Sequence, residues 1–284
     1  MSGAPPGPAA PPAGLAPTPA APEAALRARL ADLLGSLEPV GPASAPALGI
    51  AVSGGSDSTA LLLAASRLTG VRVEAATVDH RLRPEAAAEA RAVAALCARL
   101  PLPHETLVWE AGPGAGNVAG NLAEAARDAR ARLLSCWASA RGLHAVALGH
   151  TQDDQAETVL LRLARGSGLD GLSAMRPVSR RDGAPWLRPA LGLSREALRA
   201  WLRAEGVAWF EDPTNADLAH DRPRARAALL SLAPLGLTSR RLADTARRLA
   251  EDADHLDAQT HALIRRIAVL GPAGEIVLAR GPFL

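Results

Sequence analysis

Apolar and polar positions change rhythm twice along this chain. Residues 1–22 carry no charged side chain and are mostly Pro and Ala, a composition that cannot bury a core and predicts a disordered tail. Residues 23–38 set Leu26, Leu30, Leu33, Leu34 and Leu37 at helical spacing, which predicts a leading helix. A Pro/Gly/Ala linker spans 39–46. Short apolar runs then alternate with longer helical stretches. Strands are predicted at 48–52, 71–78, 104–108, 145–148 and 186–189, and helices at 59–68, 84–100, 121–140, 153–165 and 194–205. That alternation predicts an α/β unit with a mostly parallel sheet and helices on both faces. Beyond residue 214 the strand signal stops. The chain there is Arg-rich and helical as far as 275–278, with breaks at Pro234 and Gly236. The expected organisation is a tail and leading helix (1–45), an α/β domain (46–213) and a small helical domain (214–284).

Composition adds a few exclusions. Hydrophobic residues make up 48% of 284, enough for a sizeable core. No window reaches the ~18 consecutive apolar residues of a membrane span. The prolines of the first 22 residues forbid the unbroken apolar run of a secretory signal. The net charge is +2 and all 31 basic residues are Arg, a bias that a GC-rich genome also produces. Cys97 and Cys136 lie far apart without metal-ligand spacing, as expected for free thiols in a reducing cytoplasm. Charge is concentrated late: residues 222–248 hold seven Arg and one acid, a local +6. Such a patch suits a nucleic-acid backbone, and a solvated surface helix has the same composition.

The strongest chemical signal is Ser53-Gly54-Gly55-Ser56-Asp57-Ser58, set between the first strand and its helix. Two glycines let the backbone approach a ligand closely. Backbone N–H groups at a helix start form an anion nest, and three serines add hydroxyl donors. Asp57 opposes an anion unless Mg²⁺ lies between them or the carboxylate orients a reacting group. The loop has neither the spacing nor the Lys of a Walker motif. Asp79-His80 and Gly149-His150 also stand at predicted strand ends, where ligands sit in such folds. Asp154 and Glu157, three apart, share a helix face and repel each other unless a cation lies between them. Arg127 and Arg130 share another face and suit phosphate, as any exposed amphipathic helix would.

S-G-G-x-D-S after a strand resembles the loop of the ATP pyrophosphatase superfamily. Val78-Asp79-His80-Arg81-Leu82-Arg83, residues 121–132, residues 149–168 and Glu211-Asp212-Pro213-Thr214-Asn215 with Arg222-Pro223-Arg224-Ala225-Arg226 resemble the tRNA(Ile)-lysidine synthetase family. The likeness covers about 47–235. The chain has Arg222-Pro223-Arg224 where the family usually has Arg-Asn-Arg, and Ala131 where many members have an aromatic residue.

The resemblance implies an ATP- and Mg²⁺-using ligase of the cytoplasm. Its expected reaction adenylates the wobble cytidine of CAU-anticodon tRNA(Ile) and joins free lysine to C2, giving lysidine. It implies that Ser53, Gly54, Gly55, Ser56, Asp57 and Ser58 bind ATP, with Asp57 also catalytic and the metal ligand. Asp79, His80, Gly149 and His150 would neighbour the nucleotide. Asp154, Glu157 and Arg222 would take lysine. Arg127, Arg130, Arg224, Arg226, Arg240 and Arg241 would meet tRNA. A homodimer stays open as a partner state. Two other readings stand beside this one. A tRNA thiolase of the same superfamily would normally bring paired cysteines. A non-catalytic nucleotide- or RNA-binding protein could keep the loop without turnover.

Overall fold

This computed structural model describes residues 20–37, 45–82, 85–110, 122–211, 217, 220–270 and 275–278. Residues 1–19 of the expected tail, 39–44 of the linker and the 213/214 domain boundary lie outside these residues, while Ala20, Ala21 and Pro22, expected in the tail, begin the first helix.

Six strands form one sheet: β1 (Ala47–Ala51), β2 (Arg72–Asp79), β3 (His104–Val108), β4 (Ala145–Leu148), β5 (Val178–Arg181) and β6 (Ala184–Leu187). Their order is β3-β2-β1-β4-β6-β5. All neighbours are parallel except β5 and β6, which form an antiparallel hairpin at one edge. The mostly parallel sheet expected from the sequence is present, and β5 is an addition to it.

The central strands are apolar throughout because both of their faces are covered. Leu48, Ile50, Val73, Ala75, Ala145 and Ala147 face one core. Over them lie α1 (Ala20–Gly35), α2 (Ser56–Ser66), α3 (Ala86–Arg99) and α7 (Arg195–Ala204). Ala51, Ala76, Val146 and Leu148 face the opposite core, under α4 (Leu122–Ala140). Gly49 belongs to that second face. A Cβ there would come within 2.5 Å of the Trp137 ring, so glycine lets the indole approach β1 closely.

The leading helix α1 shares the first core, with Leu26 and Leu30 fully buried. Arg67, at the end of α2, reaches Glu23 at 2.6 Å and Glu205 at 2.5 Å and lies over the Trp201 ring. It thereby ties α1, α2 and α7 together.

The remaining α-helices among the described residues are α5 (Gln152–Ala164), α6 (Leu169–Leu172), α8 (Asp221–Leu232) and the long α9 (Ser239–Ile267). Ala243, Ala246, Ala250 and Ala253 form a buried stripe along α9. These small side chains let it pack closely along α5, with Val159 and Ala174 in the seam. The chain beyond 214 is not wholly helical. β7 (Ala268–Leu270) and β8 (Ile276–Leu278) pair as an antiparallel ribbon. Both strands are three residues long, too short for periodicity to reveal.

Candidate functional site

The C-terminal ends of β1 and β4 open into a cleft of about 680 Å³. Its floor is the turn from β1 into α2. Gly54 adopts φ +84° and its carbonyl accepts the Phe210 amide N–H at 2.8 Å. Phe210 and Val93 pack where a Gly54 side chain would stand, so the turn requires glycine for both reasons. The Ser58 hydroxyl sits 3.1 Å from the Ser53 amide, the Gly55 carbonyl and 3.2 Å from the Ser53 hydroxyl. These contacts fix the loop around the start of α2. The expected loop residues therefore converge, with Ser53, Gly55, Ser56, Asp57 and Ser58 lining the cleft and Gly54 supporting it.

Gly149 and His150 directly follow β4 and form the adjoining wall. His150 is half-buried, and its Nδ1 is buried without a hydrogen-bond partner. Burial, helped by Arg188, Arg130 and Arg222 and opposed by Asp154, pulls its pKa down to about 3. The ring is neutral at physiological pH. His80 lies in a smaller recess of about 320 Å³ that shares Ser53, Gly55, Arg130 and Phe210 with the cleft. It packs edge-on against Trp109, and burial lowers its pKa. Asp79 is buried and accepts the Arg81 amide at 2.8 Å, bracing a residue at φ +51°. Its structural part is to shape the strand end.

The first turn of α5 brings the carboxylates. Thr151 caps the helix, and Asp154 closes a capping box by accepting the Thr151 amide and hydroxyl, both at 2.8 Å. Burial pushes the Asp154 carboxyl up, but Arg195, the Thr151 amide and Arg222 outweigh it and hold it below the usual range. Glu157, one turn on, is 1% exposed. Burial there outweighs Arg226 and raises its pKa, with Asp154 adding to the rise. Its Oε2 is buried without a partner.

Arg222 meets Asp154 at 3.3 Å and Arg226 meets Glu157 at 2.9 Å, both from α8. Arg130 lines the cleft from α4, its charge disfavoured by burial and by Arg127 and Arg222. Arg127 is exposed outside the cleft. Arg224 turns to Asp221 at 2.8 Å, and Arg241 to the Gly236 carbonyl at 3.0 Å. Arg240 borders a separate hollow between α1, α5, α7 and α9.

Arg195 is the central residue that sequence reasoning missed. Its Nε donates to Asp57 at 2.8 Å, one terminal nitrogen lies 3.2 Å from Asp154, and the other lies 3.8 Å from Glu157. Its backbone N–H donates to Asp153 at 2.8 Å. A signal existed: an arginine in the first turn of a helix opposes the macrodipole, so it needs carboxylates close by. Burial raises the Asp57 pKa, against the pull of Arg195. Arg199 and Glu211 complete the rim, Arg199 reaching Ser56 at 3.2 Å and Glu211 at 2.8 Å.

A helix N-terminus, a glycine turn and a carboxylate-rich wall thus meet at the carboxyl ends of parallel strands, where α/β folds place their ligands. The model of the PP-loop domain matches residues 23–233, and the chain belongs to that family. It is 48% identical over 237 residues to a tRNA(Ile)-lysidine synthase of Ruegeria pomeroyi, covering 82% of this chain and 56% of that protein. It is 47% identical over 245 residues to one of Methylobacterium nodulans, covering 85% of this chain and 71% of that protein. Within the PP-loop class its family is therefore that of the tRNA(Ile)-lysidine synthases. The chain spans 56% and 65% of the length of the Ruegeria protein and its Bradyrhizobium sp. counterpart. Among solved structures, the U34-tRNA thiolase NcsA of Methanococcus maripaludis shares the fold, with a TM-score of 0.66 at 14% identity, covering 81% of this chain and 78% of that one. No described helix is long and apolar enough to cross a membrane.

Proposed function

We propose that this chain joins lysine to C2 of the wobble cytidine of a CAU-anticodon tRNA(Ile), using ATP to activate the base. The observation that carries the reading is the convergence of the Ser53-to-Ser58 loop with Asp154 and Arg222 in one cleft, with Glu157 buried behind its wall against Arg226. The names of the relatives support the same reaction.

In this reading the α2 N-terminus and the serines hold the phosphates of ATP. The C2 carbonyl oxygen of the cytosine attacks the α-phosphorus, and pyrophosphate leaves. The ε-amine of lysine then attacks C2, the bond to AMP breaks, and the displaced ammonium proton passes to solvent. The protein contributes mainly position and charge. Asp154 and Glu157 receive the lysine cation through charge-assisted hydrogen bonds. Arg222 meets its carboxylate. Neutral His150 can hydrogen-bond without adding charge. Arg130, Arg224, Arg226, Arg240 and Arg241 offer the cations for tRNA phosphates, with Arg127 beside them.

Magnesium fits this site as a shared ligand. No group of three or more His, Cys, Asp or Glu side chains able to hold a metal exists among the described residues. Mg²⁺ commonly takes one or two carboxylates together with substrate phosphates. Asp57 would hold it with the phosphates of ATP, where it would neutralise charge on the leaving pyrophosphate. The test is direct. The protein is incubated with ATP, labelled lysine and a CAU-bearing tRNA(Ile) transcript, and digestion is expected to yield a labelled cytidine derivative. Asp57→Ala is expected to abolish lysine- and tRNA-dependent pyrophosphate release. Label recovered from sulfide instead of lysine would favour a thiolase.

A further inference from the structure

The Arg195 guanidinium occupies the ground that the proposed substrates need. It bonds Asp57, the proposed metal ligand, and also touches Asp154 and lies near Glu157, the proposed lysine acceptors. Three carboxylates so close together require a cation between them, and the chain supplies its own. Glu157 is fully buried and still has one oxygen, Oε2, without a partner. Arg226 bonds only Oε1, at 2.9 Å, and Arg195 stands 3.8 Å from that same oxygen, so the resident guanidinium groups leave hydrogen-bonding capacity unused at this carboxylate.

We infer that Arg195 is a displaceable counter-ion that couples ATP binding to lysine binding. The inference rests on the reading of Asp154 and Glu157 as the lysine pocket. Asp57 and Ser56 begin α2 and face the same cleft as Arg195 and Arg199. ATP on this loop brings several negative charges close to the guanidinium. Those charges draw Arg195 away from Asp154 and Glu157 and toward the phosphates. Asp154 and Glu157 keep Arg222 and Arg226 beside them but lose the cation lying between them, and the lysine ammonium takes that place, so lysine binds well only after ATP. The movement needs only side-chain rotation, because the backbone of Arg195 stays anchored on Asp153. A ligand that removes an internal competitor raises the fraction of competent sites, and the effect is reciprocal.

The experiment measures lysine binding by calorimetry on the whole chain, with and without the α,β-methylene analogue of ATP. In the wild type the analogue is expected to tighten lysine binding by about tenfold. Arg195→Gln keeps the backbone anchor and removes the charge. It is expected to bind lysine tightly without the analogue and to show almost no further gain with it. Arg195→Lys, which keeps a cation, is expected to retain part of the coupling. Wild-type lysine binding that ignores the analogue overturns the inference, whatever the fate of the variants. Weaker lysine binding by a folded Arg195→Gln does the same, because a fixed structural arginine would behave so. A wild type that binds no lysine under either condition overturns the lysine-pocket reading as well.

Discussion

Gly149 lies against the backbone of Ser58. A Cβ on Gly149 would stand 2.8 Å from the Ser58 nitrogen and 2.9 Å from its Cα. The end of β4 and the start of α2 thus touch main chain to main chain, and no flexible side chain can yield there. Gly149→Ala is expected to push the α2 N-terminus off its position. Overpacking of this kind costs about 1–3 kcal/mol. Binding of an ATP analogue should fall further than stability does, since the displaced amides are those proposed to hold phosphate. Calorimetric binding and thermal unfolding on the same samples check this.

His150 makes stability depend on acid. Its folded pKa, about 3, lies below the value of an unfolded histidine. The unfolded chain therefore binds more protons across the interval between them, and stability falls as pH drops from about 6.5 toward 3. Raised carboxylates at Asp57 and Glu157 act in the opposite sense. His150→Asn removes only the histidine contribution. Its unfolding free energy is expected to decline less steeply than the wild type's between pH 6.5 and 5. Parallel pH profiles would show that the ring is not held neutral by its surroundings.

The sheet was readable where burial is uniform and unreadable where it is not. β1 and β4 lie between two helical layers, so continuous apolar runs mark them. β5 ends in Ser179, Arg180 and Arg181 at an edge of the sheet, where pattern carries no imprint of pairing. The phosphate loop was legible because its residues are contiguous. Arg195 was not, because it lies 138 residues from Asp57 and 41 from Asp154. Its role arises only when α7 is laid beside α2 and α5. The leading helix was legible as a helix, while its membership of the main core depends on contacts far along the chain.

Leu30 measures that membership. It is fully buried among residues of β1, α2 and α7. Leu30→Ala is expected to destabilise the fold by about 2–5 kcal/mol through lost burial and a residual cavity. ATP and lysine affinities should persist at temperatures where the variant remains folded. Denaturant unfolding would report the loss as a lower midpoint with an unchanged slope. A shift below about 1 kcal/mol would mean that α1 packs only loosely on the sheet.

Arg226 and Glu157 form a pair of unequal exposure, 37% against 1%, at 2.9 Å. Arg226→Ala would leave Glu157 with Arg195 at 3.8 Å as its nearest cation. Breaking a fully buried pair costs about 3–5 kcal/mol. Solvent around Arg226 reduces this, and a loss of about 1–3 kcal/mol is expected. Burial already raises the Glu157 pKa above its unfolded value, and losing Arg226 raises it further. A carboxyl raised in the fold stabilises once protonated and loses that contribution as pH rises through its folded pKa. The defect of Arg226→Ala should therefore be smaller at pH 5 than at pH 8. Glu157→Gln removes the charge that needs neutralising, so the double variant should cost less than the sum of the single ones, by about 1–2 kcal/mol. Additive losses that do not change with pH would show that the two side chains are neighbours without energetic coupling.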